Sequence, residues 1–284
     1  MIPKIGFSLQ AQYDCPMAEV IALLNNAGFS AVSPLWSEDL DMAALTRCVH
    51  AKGMTVQSLH APRKSTAPMW QPESAEAVEV LALLKKSIDT CAKFHVPILV
   101  VHSWQGLHYT FPESLPDFRH FDALVEYAGQ NGICIAFENL EGTEYLCALL
   151  TRYQDHPNVG FCWDCGHDSC YPPNTDLLHR FGNQLIMTHL HDNFGVRDPA
   201  GIFNGGDDLH FIPFDGSLDW DHVLTRLRSA APQEILNFEL KTRTKSKNEA
   251  DLPYLHLSLE QFIERAAERA LEIAEKYDEI MNQA

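Results

Sequence analysis

The sequence predicts an α/β protein built as a closed (β/α)8 barrel, with its active site at the C-terminal ends of the strands. Three observations predict it. Short β-rich runs alternate with longer helical patterns along the chain, which implies parallel strands joined by crossovers. Eight such strands fit into 284 residues, the size of one barrel. No Gly-rich dinucleotide fingerprint follows any strand, which argues against a doubly wound open sheet. Without a linker, short-period repeat or low-complexity segment, residues 1–284 read as a single domain.

Each element has its own signal. Ile5–Leu9 is the first strand. Met17–Ala27 is helical, with Val20, Ile21, Leu23 and Leu24 at helical spacing, and Gly28 closes it. Ala31–Trp36 is the second strand, and the helix Asp41–Lys52 again stops at a glycine, Gly53. Thr55–His60 is the third strand. Ser74–Phe94 is a long amphipathic helix carrying Val78, Val80, Leu81, Leu84 and Ile88. Ile98–Ser103 and Ile133–Leu140 are strands four and five, and between them the helix Phe121–Gln130 ends at Asn131-Gly132. Val159–Asp164, Leu185–Asp192 and Glu234–Leu240 complete the strands, and a last helix runs from about Leu259 to Met281. The Gly- and Asp-rich loop Asn193–Trp220 is long enough to be functional.

Composition narrows the function. The net charge of -17 repels phosphate backbones and argues against a nucleic-acid partner. It suits a site rich in carboxylates. No secretory signal and no apolar run of membrane-spanning length is visible, so a cytoplasmic protein with no membrane partner is expected. Eight scattered cysteines then read as reduced thiols. Cys162 and Cys165 match a Cys-x-x-Cys spacing, but that pair runs from a strand into its loop, where side chains diverge.

The strand ends are strongly biased. Strands three to eight end at or near His60, His102, Glu138, Asp164, His189 and Glu239. In a barrel these ends converge on one face. Burying so many ionisable groups together is costly unless something compensates them. A divalent cation does so, because it reverses the repulsion among carboxylates. Any one member alone would read as a structural or solvated residue; six in register do not. The pairs Asp164-x-x-His167 and Asp208-x-His210 add adjacent donors, each weak alone. His191 shares a face with His189 if the strand continues that far.

At these residues the chain resembles the xylose isomerase-like TIM barrel superfamily, which includes ketose 3-epimerases, hydroxypyruvate isomerase, inosose dehydratase and endonuclease IV. The likeness runs from Lys4-Ile5-Gly6 to Glu239. It is carried by Leu59-His60-Ala61-Pro62, Val101-His102, Phe137-Glu138-Asn139, Asp164-Cys165-Gly166-His167, His189-Leu190-His191-Asp192, Asp208-Leu209-His210 and Glu239. The resemblance implies one divalent metal held by Glu138, Asp164, His189 and Glu239. Likeness to endonuclease IV implies up to three ions. His60, His102 and Glu138 would then hold one more, and His167, Asp208 and His210 the other. The ligand set alone does not separate these cases. The mixed N/O donors suit Mn2+, Zn2+, Co2+ or Mg2+.

The activity implied is a metal-dependent isomerase or epimerase acting on a sugar, sugar phosphate or polyol. It would work through a metal-stabilised enediolate, with Glu138 and Glu239 as acid and base facing each other across the cavity. The alternatives are a multi-zinc phosphodiesterase of the endonuclease IV type and a metal-dependent dehydratase of a keto-polyol. The balance of 21 Lys+Arg against 38 Asp+Glu favours a small carbohydrate-like substrate over DNA, and the stretch Asp208–Trp220, DLHFIPFDGSLDW, resembles the sugar isomerase and epimerase members more closely than endonuclease IV. Arg63, His191 and Lys241 are candidates for substrate oxygens, and Trp36, Trp104 and Phe137 for apolar walls. Lys241 opens a basic run through Lys247 that reads as a solvated loop or a clamp for one anionic group. A homo-oligomer is compatible with the sequence, which does not fix the oligomeric state.

Overall fold

Each barrel strand ends on the same face as its neighbours, because every named pairing is parallel. The computed structural model describes residues 1–10, 12–62, 64–71, 73–113, 117–243 and 248–283. The strands are β1 (Lys4–Leu9), β2 (Ala31–Pro34), β3 (Thr55–Val56), β4 (Ser58–His60), β5 (Ile98–His102), β6 (Cys134–Glu138), β7 (Val159–Asp164), β8 (Leu185–His189) and β9 (Ile235–Phe238). The helices are α1 (Met17–Ala27), α2 (Met42–Ala51), α3 (Ala75–Phe94), α4 (Arg119–Gln130), α5 (Thr143–Arg152), α6 (Cys165–Cys170), α7 (Leu177–Phe181), α8 (Trp220–Arg228) and α9 (Leu259–Asn282).

Two sheets, β3-β2-β1-β9 and β4-β5-β6-β7-β8, are joined at both edges by parallel bridges, Leu35 to His60 and Leu190 to Phe238. The amide of Trp36 donates to the carbonyl of His60 at 2.8 Å, and that of Leu190 to Asn237 at 2.9 Å. These bonds close the ring. β3 and β4 are one stave interrupted at Gln57, so the nine strands make the eight staves that the sequence predicts. The expected (β/α)8 fold is therefore the observed one.

Local chemistry sets the helix ends. The Asp41 side chain accepts from the Ala44 amide at 2.9 Å and caps α2. Ser258 and Gln261 form a capping box on α9. Gly28 ends α1 in the left-handed region, at φ 107°, where glycine carries no Cβ penalty. Between strands and helices lies the main apolar core, with Val101, Phe137, Phe161 and Trp163 of the strands among its buried members.

Candidate metal centre

Side chains alternate along a strand with a period of two, and here the alternation separates core from site. Val100, Ala136, Cys162 and Met187 form their own buried cluster, apart from the helix-facing core. Two residues further along each of these strands stand His102, Glu138, Asp164 and His189. The interior residues are thus the floor beneath the site. Asp164 also caps α6, accepting from the His167 amide at 2.7 Å. Because α6 starts at once after β7, Asp164 and His167 stand side by side.

Glu138 is fully buried and sits at the middle. Its Oε2 lies 3.2 Å from His60 Nε2 and 3.1 Å from His102 Nε2. Its Oε1 lies 2.8 Å from His189 Nδ1, and that same nitrogen is 3.1 Å from Glu239 Oε2. The two glutamates, expected to face each other, approach one atom. Donor atoms of Glu138, Asp164, His189 and Glu239 all lie within 4.8 Å of one another, as do those of His60, His102 and Glu138. A further group comprises His167, Asp208 and His210, with His191 as an additional member. His191 Nε2 lies 3.0 Å from Asp164 Oδ1. Lys241 Nζ lies 3.9 Å from Glu239 Oε1, at the edge of the cluster.

The electrostatics are those of carboxylates held by imidazoles and, at the edge, by Lys241. Burial pushes the Glu138 carboxyl up, but His189 and His102 outweigh it and hold the group well below the usual range. Burial opposes Glu239 and Asp208 in the same way, and His210 is the leading attraction that pulls each well below its ordinary value. For His167, burial disfavours the charge, yet Asp164 and Asp208 raise it to about 10. His210 goes the other way: burial prevails and brings it down to about 4. Four carboxylates packed this closely need compensating positive charge, which protonated imidazoles or a divalent cation can supply. Asp208 Oδ1 is buried without a hydrogen bond. The donor chemistry therefore fits a bound cation.

Two buried residues that the sequence offered only as motif neighbours of the strand-end donors organise the site. Asn139 clamps Asp164 through both ends of its amide, accepting from the Asp164 amide and donating to the Asp164 carbonyl, each at 2.8 Å. Asp192 gathers the long loop. Its carboxylate accepts from the amides of Asn193, Phe214 and Leu218 and from Trp220 Nε1, at 2.9–3.0 Å. Gly216 permits this closure, since a Cβ there would fall 2.2 Å from Asp192 Oδ1. The signal available in the sequence was position: each directly follows or closely trails a strand-end donor.

Other expectations resolve differently. Phe137 points into the helix-facing core, with its ring centroid 6.0 Å from that of Phe121, and so does not wall the site. Trp36 is bonded to Thr90 at 2.9 Å, and Trp104 stacks on Tyr145 at 4.3 Å. Cys162 belongs to the interior floor, whereas Cys165 Sγ donates to the His191 carbonyl at 3.3 Å; both are free thiols. Arg63 lies outside the described residues, as does 244–247 of the basic run. A cavity of about 770 Å³ is lined in part by Tyr109, Phe111, Leu140 and Tyr171. The Tyr171 ring centroid is 5.9 Å from that of His167. Among the described residues no helix is long and apolar enough to cross a membrane.

Known proteins share this architecture. The chain is 33% identical over 186 residues to an uncharacterised protein, y4fM, of Sinorhizobium fredii. That match covers 60% of this chain and 54% of the relative, so the chain spans about half the relative's length. The solved structure of the IolI protein with a bound zinc atom superposes with a TM-score of 0.73 at 17% identity, covering 96% of this chain and 99% of that one. L-ribulose 3-epimerase superposes with a TM-score of 0.72 at 14% identity, covering 98% and 97%. At such identities these likenesses show the fold. The profile of one family, described as xylose isomerase-like TIM barrel, matches residues 21–262. The chain belongs to the xylose isomerase-like TIM barrel family.

Proposed function

We propose that the protein is a metal-dependent isomerase or epimerase of a sugar, sugar phosphate or polyol, with Glu138 and Glu239 as its acid and base. The observation that carries the reading is the meeting of Glu138 and Glu239 at His189 Nδ1, within one group of four donors that includes Asp164. Two carboxylates at one site can divide proton removal and proton return. A divalent cation held by Glu138, Asp164, His189 and Glu239 would polarise a substrate carbonyl and acidify the neighbouring C–H. The solved relatives include an L-ribulose 3-epimerase and a zinc-binding IolI protein, which lends this reading support.

The chain's own residues account for the rest. One glutamate takes the proton from the carbon beside the carbonyl, leaving that carbon planar. Return by the other carboxylate to the opposite face inverts the centre; delivery to the adjacent carbon moves the carbonyl instead. Lys241 would meet a substrate oxygen beside Glu239, and His191, buried against Asp164, would act through that carboxylate. Asn139 fixes the orientation of Asp164, and burial keeps competing water from Glu138.

A second reading, a multi-zinc phosphodiesterase, draws on the sharing of Glu138 between the group with His60 and His102 and the group with Asp164, His189 and Glu239. Product analysis separates the two. Metal-loaded protein incubated with a panel of ketoses, ketose phosphates and inososes should convert at least one to its epimer or aldose isomer, read by chromatography. Conversion of none, with incision of a duplex containing an abasic site at catalytic enzyme concentration, would favour the phosphodiesterase.

A further inference from the structure

The cavity of about 770 Å³ lies beside the principal donors, yet none of Glu138, Asp164, His189 and Glu239 lines it. Its walls come from separate parts of the chain. The loop after β5 supplies Tyr109 and Phe111, and α5 supplies Cys147 and Ala148. The segment after α6 supplies Tyr171, and the loop Asn193–Trp220 supplies Phe203. The aromatic members are braced. Tyr109 and Phe111 pack on the buried Tyr145, with ring centroids 5.8 Å and 4.9 Å away. The Tyr109 hydroxyl donates to Glu144 Oε2 at 2.6 Å. Tyr171 meets Phe203 edge-on, with centroids 6.4 Å apart. Phe203 is 41% exposed and Tyr109 and Phe111 are half-buried, so aromatic surface stays open to the cavity. Such surface favours an apolar occupant over water.

Tyr171 joins the cavity to the donors. Its ring centroid is 5.9 Å from that of His167, whose Nδ1 lies 3.5 Å from Glu138 Oε1 and 3.4 Å from Asp164 Oδ2. One imidazole therefore separates the Tyr171 ring from Glu138. Leu140, two residues beyond Glu138, packs with Cys170 and Tyr171 in one cluster and lines the cavity. Tyr171 is only 5% exposed, and its hydroxyl makes no hydrogen bond to any described residue. That hydroxyl is free to meet an oxygen of a ligand that passes from the donors into the cavity. Sites of roughly 300–1,000 Å³ take drug-sized ligands, so there is room for a ring in addition to what the donors hold. A second sugar ring would bring several hydroxyls that each need a partner. The Glu144 carboxylate and the Arg152 guanidinium are already engaged, by Tyr109 and by Asp122. An aryl ring needs no such partners and gains from edge-on or offset contacts with the aromatic walls.

We propose that this cavity is a subsite for an aromatic group joined through an oxygen to the sugar or polyol that reacts. Aryl-bearing substrates then bind more tightly than the free sugar or polyol, because the remote ring supplies binding energy that the small reacting part lacks. The inference rests on the isomerase or epimerase reading and names its substrate class.

The test is paired binding. Full-length, metal-loaded protein is titrated by calorimetry with the p-nitrophenyl and the methyl glycosides of glucose, galactose and xylose. These compounds have no free carbonyl to polarise, so affinity is read without turnover. Burial of the ring should make at least one p-nitrophenyl glycoside bind about tenfold or more tightly than its methyl partner. Ala148→Trp, which fills the cavity from α5, should abolish that preference, with circular dichroism and metal content matching the wild type. Ala148→Leu fills it less and decides if Ala148→Trp does not fold. Equal affinity within every pair, binding of none, or a preference that survives in the folded variant overturns the subsite. An aryl preference without conversion of any ketose, ketose phosphate or inosose leaves the subsite standing and removes the isomerase reading. Conversion without an aryl preference removes the subsite and leaves the isomerase reading standing.

Discussion

Glu138 Oε1 and His189 Nδ1 lie 2.8 Å apart with both side chains sealed from solvent, so the charge on each depends on the other. His189 is raised well above its ordinary value: burial lowers it, but Cys162 and Glu138 outweigh that. A buried pair of this kind is costly to break by removing one partner. It is correspondingly receptive to a cation that both can bind.

Chelated protein should gain stability when Mn2+, Co2+ or Zn2+ is added. A ligand that binds the native state at 100 times its dissociation constant contributes about 2.7 kcal/mol, a rise in melting temperature of roughly 5 °C for a chain of this size. Differential scanning fluorimetry reads it directly. No shift with any of the three ions would remove the metal site.

Glu138→Gln and Glu239→Gln keep the side-chain shape and delete the base. Each should fold and slow proton transfer at the substrate carbon by about 10²–10⁴-fold, the usual share of a positioned acid or base. Near wild-type rates in either variant would show that the two-carboxylate scheme is wrong.

His60 and His102 touch Glu138 Oε2 and stand outside the four proposed ligands of the principal ion. His60→Ala and His102→Ala should lower activity by about 10–100-fold, the range seen when partners of metal ligands are removed. The central ion should remain, as measured by metal analysis. A native stoichiometry near three, with one ion lost in each variant, would shift weight to the phosphodiesterase.

Asp192→Ala tests the loop anchor. It strips the shared acceptor, itself buried, from four N–H donors, two of them buried and two part-buried. Unsatisfied buried donors are expensive, and a loss of about 3 kcal/mol in urea unfolding is expected. A change under about 0.5 kcal/mol would show that water replaces the carboxylate without cost.

Much of this was legible in the sequence for a physical reason. Strand ends such as Val101-His102 and Trp163-Asp164 couple apolar β-rich runs to a polar terminus, and a parallel barrel brings all such termini together. The expected strand Val159–Asp164 is β7 to the residue, and the helix Met17–Ala27 is α1. Other parts carried weaker signals. The helices α6 and α7 hold six and five residues, too few for an apolar period to declare itself. The break at Gln57 marks where this stave passes from pairing with β2 through Thr55 and Val56 to pairing with β5 through Ser58–His60. At the site, His191 is readable as a strand-face neighbour of His189, but its fit against Gly166 depends on how α6 folds back over β8. Asp192 likewise reads as one more acid until Phe214, Leu218 and Trp220 close around it.

Solvent deuterium exchange tests the central claim most directly. Metal-loaded protein in D2O, given the same panel of ketoses, ketose phosphates and inososes, is followed by proton NMR at the carbon beside the carbonyl. The account predicts loss of that proton signal for at least one compound, abolished by chelator and restored by Mn2+, Co2+ or Zn2+. Retention of the signal across the panel, in protein whose metal content is verified, would contradict it.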